Sequence, residues 1–89
     1  MNEQNVSILI AVDDPAERGT LAKTLAGAGY LRVVAVASGP EALAAMGREA
    51  FAFVIAGARL AGMDGYELCR AIRARGAAAY VYVLLIAGG

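Results

Sequence analysis

Phe51-Ala-Phe-Val-Ile-Ala-Gly-Ala-Arg-Leu-Ala-Gly-Met-Asp-Gly-Tyr-Glu-Leu-Cys-Arg70 decides the fold. It opens on an apolar run, Phe51 to Ala56, of the kind that forms a strand buried on both faces of a sheet. Gly57 stands where the run stops. A short loop leads to Asp64-Gly-Tyr-Glu67, an N-cap followed three residues later by an acid. Leu68 and Ile72 are four apart and supply the buried stripe of the helix that follows.

The same strand-then-helix unit recurs on either side. Val6 to Val12 is a nearly continuous apolar run and predicts a first strand. Asp14-Pro15-Ala16-Glu17 then reads as a cap, a first-turn proline and an acid, opening a helix with Leu21 and Leu25 on one face. Gly27 and Gly29 end it. Leu31 to Val36 predicts a second strand, and Ser38-Gly-Pro-Glu41 a second capped helix with Leu43 and Met46 inward. After the Asp64 helix, Gly76 is the stop signal and Tyr80 to Ile86 the fourth strand. Strands alternating with helices through short links predict a parallel α/β sheet.

Eighty-nine residues allow one domain, spanning 1–89. The chain is 60% hydrophobic, enough for a well-covered core. Eight basic and eight acidic residues leave a formal net charge of zero, which gives no electrostatic case for nucleic acid or an anionic membrane. Cys69 is the single cysteine and there is no histidine. An internal disulfide and His-based metal or base chemistry are therefore excluded. The apolar run Ala77 to Ala87 is too short to span a membrane. The N-terminus lacks the basic region of a signal peptide. The chain is read as soluble and cytoplasmic.

Four pieces, in order, carry a family resemblance. They are Val12-Asp13-Asp14, then Ala37-Ser38-Gly39 with Glu41-Ala42-Leu43, then Met63-Asp64-Gly65-Tyr66-Glu67-Leu68, and finally Tyr80 to Ala87. Together they resemble the response-regulator receiver domain of two-component signalling. The resemblance implies a flavodoxin-like three-layer α/β fold. It implies a parallel sheet ordered 2-1-3-4 with three helices, lacking the family's last helix-strand-helix. It also implies a site at the carboxyl ends of the strands. There an acidic pair and a phosphoacceptor aspartate hold Mg²⁺, and a hydroxyl and a lysine contact the phosphoryl group.

On that pattern Asp13 and Asp14 stand for the acidic pair and are a weak Mg²⁺ site. Gly57 falls at the phosphoacceptor position and Ile86 at the hydroxyl position. Glycine cannot act as a nucleophile. The resemblance thus implies a degenerate, non-enzymatic receiver-like module acting by protein–protein contact. Two alternatives stay open: a receiver that accepts phosphoryl groups on Asp13 or Asp14 with Mg²⁺, and a remnant with no role of its own. No other cofactor is implied. Tyr80, Tyr82 and Leu84 mark an uncovered sheet edge. A protein partner or a second copy is expected there, making the chain a homo-oligomer.

The residue-level readings beside these are structural. Asp64 and Ser38 read as helix caps, Asp14 as a cap as well as a ligand, and Cys69 as a core thiol. Arg70, Arg73 and Arg75 read as a solvated helix face, with a partner-binding patch as the alternative. Gly27-Ala28-Gly29 follows a helix rather than a strand, so it lacks the geometry of a dinucleotide loop.

Overall fold

The computed structural model describes residues 6–60, 62–74 and 81–86. Within them the order is β1 (Ser7–Ala11), α1 (Pro15–Gly27), β2 (Arg32–Val36), α2 (Gly39–Arg48), β3 (Phe53–Gly57), α3 (Gly65–Arg73) and β4 (Tyr82–Ile86). The strands form one parallel sheet in the expected order β2-β1-β3-β4. Arg75, Gly76 and Tyr80 lie outside the described residues.

All five residues of β1 are buried, which is why its sequence shows no polar alternation. Successive side chains point to opposite faces. Leu9 and Ala11 meet Ala42 and Ala45 of α2, Val54 and Ala56 of β3, and Leu68 and Ile72 of α3. Ile8 and Ile10, with Val12 beyond the strand, meet Leu21, Ala22 and Leu25 of α1. The result is three layers, with α1 on one face of the sheet and α2 and α3 on the other. Each fully buried Leu or Ile contributes about 1.5–3 kcal/mol.

The helix ends follow from side-chain chemistry. Asp14, Ser38 and Asp64 each accept a hydrogen bond from the backbone N–H three residues on. Asp64 and Glu67 complete a reciprocal capping box, the Asp64 N–H donating to Glu67 Oε1 at 3.0 Å. In α2 the corresponding Glu41 instead accepts from the Ala37 N–H, one residue before the cap. Gly29 closes α1 with φ 101°, the left-handed conformation of a Schellman cap. The Tyr30 N–H donates to Leu25 O and the Gly29 N–H to Ala26 O.

Two expectations need adjustment. The α2 residues that reach the core are Ala42 and Ala45, while Leu43 and Met46 are half-buried at its flank. Small residues let the helix approach the sheet closely, and the larger ones are displaced sideways. Leu21 and Leu25 share one face of α1, as expected, and are half-buried, because α1 alone covers its face of the sheet among the described residues. Finally, β3 begins at Phe53 rather than Phe51 and runs on to Gly57, which pairs with Ile86.

Candidate functional site

The candidate site lies at the carboxyl ends of β1 and β3, where α1 begins. A cleft of about 210 Å³ is lined by Val12, Asp13, Asp14, Glu17, Gly57, Ala58 and Arg59. The fold thus brings Asp13, Asp14 and Gly57 together, as the sequence pattern requires. Ile86 does not line the cleft. It is the register partner of Gly57, and its carbonyl accepts from the Ala58 N–H at 2.9 Å. Paired residues of neighbouring strands share a sheet face, so the half-buried Ile86 side chain lies on the face where a residue-57 side chain would project.

The two acids differ in their engagement. Asp14 Oδ2 is committed to the α1 cap, accepting from the Glu17 N–H at 3.0 Å. Asp13 is exposed in the turn. Val12, directly before it, is 2% exposed and packs inward against α1.

Sequence reasoning passed over Arg18. Its Nη1 donates to Val12 O at 2.8 Å and to Asp13 O at 3.2 Å, so a guanidinium ties the first turn of α1 back to the acidic turn. The only sequence signal is a cation one helical turn beyond the cap.

Gly57 is not demanded by the backbone. Positive φ among the described glycines occurs at Gly29 and Gly62. A Cβ built on Gly57 would meet Arg59 O at 3.5 Å and Ala11 O at 3.8 Å, ordinary contacts. The position has room for a side chain and carries none. As a metal site the donor set is thin, with one carboxylate oxygen already used in a cap and no carboxylate from β3. Among the described residues no group of three or more His, Cys, Asp or Glu is arranged to hold an ion.

The loop after Gly57 is pinned on both sides. Gly62 adopts φ 84°, and any side chain there would press on Pro40 at the start of α2. Met63 packs over Gly39 so closely that residue 39 has no space for a Cβ. At the opposite end of the sheet, Glu49 Oε2 accepts from Ser7 Oγ and from Arg32 Nη2, both at 3.0 Å, away from the cleft.

The family model described as response regulator receiver domain matches residues 8–88. The chain belongs to that family. It is 43% identical over 68 residues to the response regulator protein FleR of Pseudomonas aeruginosa, which covers 76% of this chain and 14% of FleR. The chemotaxis response regulator CheY4 of Vibrio cholerae superposes with a TM-score of 0.86 at 28% identity, over 91% of this chain and 67% of that one. The receiver domain of the sensor histidine kinase PA1611 from Pseudomonas aeruginosa, with magnesium coordinated in its active-site cleft, gives 0.86 at 29% identity, over 93% and 67%. The chain therefore spans about a seventh of the length of FleR and two thirds of those solved chains. It is a receiver domain of two-component signalling with the flavodoxin-like fold. Receiver domains are in general signalling modules that work through other proteins. No described helix is long and apolar enough to cross a membrane.

Proposed function

We propose that this receiver domain takes no phosphoryl group and acts by protein–protein contact. The observation that carries the reading is Gly57. It ends β3 in the cleft with Asp13 and Asp14, has space for a side chain, and offers no nucleophile. Ile86, its partner on β4, offers no hydroxyl to a phosphoryl oxygen.

Mg²⁺, when bound in such a cleft, neutralises phosphoryl oxygens. In this chain Asp13 and the free oxygen of Asp14 would hold it; Glu17 also lines the cleft, but no three such groups among the described residues are arranged around an ion, which supports weak binding only. The domain is read as a non-enzymatic cytoplasmic module. Its contact surface is β4 and the apolar face beside it. Phe53, Tyr82 and Leu84 are 41%, 71% and 61% exposed there. The Phe53 and Tyr82 rings stack with centroids 5.5 Å apart.

The test is incubation of the chain with a small-molecule phosphodonor and Mg²⁺, read by intact mass. An unchanged mass is expected. Gain of one phosphoryl group mapping to Asp13 or Asp14 would replace this reading with that of an active receiver using a displaced acceptor.

A further inference from the structure

We propose that Arg59 keeps divalent cations off the Asp13–Asp14 cleft by placing a fixed positive charge among the carboxylates that would bind them. The inference rests on the reading above in taking this cleft as the place where Mg²⁺ would sit. It goes further in assigning the weakness of that site to a residue that is present, as well as to the carboxylate that is missing.

Three acids, Asp13, Asp14 and Glu17, line the cleft, and Arg59 is the one cation that lines it with them. The acids come from the turn after β1 and the first turn of α1, and Arg59 from the loop after β3. That loop folds back over Gly57, since a Cβ added at residue 57 would lie 3.5 Å from Arg59 O. The residue between them is held at both backbone groups. The Ala58 N–H donates to Ile86 O at 2.9 Å, and Ala58 O accepts from the Gly65 N–H at 3.0 Å. Residue 59 is therefore placed beside the space where residue 57 carries no side chain.

The charge at that place is permanent, because a guanidinium does not deprotonate in a protein. Arg59 is exposed. The ion pair formed among the described residues joins Arg32 to Glu49, at the opposite end of the sheet. Arg59 thus acts on the cleft through space rather than by locking onto one acid. Arg18 shows the contrast. It is the other arginine near the acidic turn, but its Nη1 donates to Val12 O and Asp13 O, and it does not line the cleft.

Coulomb's law sets the sign and the size. A divalent ion beside Asp13 is attracted by the acids and repelled by Arg59, and the repulsion is doubled because the ion carries two charges. For charges several ångströms apart at a protein surface, that repulsion weakens binding about three- to tenfold. It is screened as ionic strength rises.

The experiment is titration of the 89-residue chain with Mg²⁺ at low ionic strength, followed by nuclear magnetic resonance through the backbone amide shifts of Asp13, Asp14 and Glu17. Arg59→Gln removes the charge and is expected to bind Mg²⁺ about three- to tenfold more tightly than the wild type. Arg59→Lys keeps the charge and is expected to stay within about twofold of it. Arg48→Gln is the control. It makes the same change in net charge next to Glu49, which reaches Ser7 away from the cleft, and is expected to match the wild type. In high salt the gain of Arg59→Gln is expected to shrink. Equal affinities for Arg59→Gln and the wild type overturn the proposal, and so does an absence of binding by both. An equal gain from Arg48→Gln also overturns it, by assigning the effect to net charge. The amide spectrum reports whether each variant folds. Arg59→Ala replaces an Arg59→Gln that does not fold, and failure of both overturns the proposal by making residue 59 structural. Phosphorylation of the chain would sink the functional reading and leave the affinity ratio standing; equal affinities would do the reverse.

Discussion

Gly65, the first residue of α3, sits directly against the carbonyl oxygen of Gly57, the last residue of β3. A methyl group at residue 65 would overlap that oxygen and lie 3.0 Å from Leu85 Cδ2 and 3.2 Å from Ala58 Cα. The Gly65 N–H also donates to Ala58 O at 3.0 Å. The end of the cleft strand and the start of α3 are thus one close-packed unit. Gly65→Ala must push backbone against backbone and is expected to cost about 1–3 kcal/mol. Gly19→Ala supplies the contrast. Gly19 lies inside α1 with nothing within 4 Å of an added Cβ, so alanine there is expected to stabilise by about 0.5–1 kcal/mol. Thermal melts followed by circular dichroism should show Tm moving in opposite directions. A Gly65→Ala melt matching wild type would remove the proposed close approach.

Gly57 has the opposite character, since its added Cβ meets only ordinary contacts. Gly57→Asp is expected to fold. Without divalent cations it adds a carboxylate from β3 to a cleft already lined by Asp13, Asp14 and Glu17, and like-charge repulsion lowers Tm at neutral pH. Mg²⁺ is expected to reverse that loss, because ligand at a hundred times its Kd stabilises by about 2.7 kcal/mol. The wild type, with no carboxylate on β3, should respond much less. Melts of both proteins across a Mg²⁺ series check this, and equal responses would mean that residue 57 does not face the cation.

How far the fold could be read in advance depended on how each residue meets its surroundings. The β1 run was legible because both its faces are buried, leaving no alternation to misread. The caps at Asp14, Ser38 and Asp64 were legible because capping needs only a local side chain and an N–H three residues on. The choice of Ala42 and Ala45 over Leu43 and Met46 was not, because helix-to-sheet distance is set by what the other layer presents. At the candidate site, the meeting of Asp13, Asp14 and Gly57 followed from strand order. The space above Gly57 and the reach of Arg18 to Val12 O depend on tertiary geometry that no spacing encodes.

The Asp64 cap should be measurable on its own. Asp64 Oδ1 accepts from the Glu67 N–H at 2.8 Å and the return bond is also made. Asp64→Ala removes the acceptor and is expected to cost about 1 kcal/mol, with Asp64→Asn close to wild type because asparagine caps nearly as well. Urea unfolding resolves the difference as a shift in midpoint at constant slope. Equal losses for alanine and asparagine would assign the effect to charge rather than to the hydrogen bond.

Burial sets the largest expected effect. Leu68 and Ile72 are fully buried on the α3 face and join the shared core, whereas Leu31, just before β2, is 79% exposed. Truncating a buried leucine to alanine loses transfer energy and leaves a cavity, about 2–5 kcal/mol in all. A domain of this size holds only about 5–15 kcal/mol in total. Leu68→Ala is therefore expected to unfold the chain or leave it marginal, while Leu31→Ala stays within about 0.5 kcal/mol of wild type. Chemical denaturation of the pair measures both at once. Comparable losses at the two positions would mean that Leu31 is covered in solution, by another chain or by residues outside those described, and would place an interface beside β2 rather than β4.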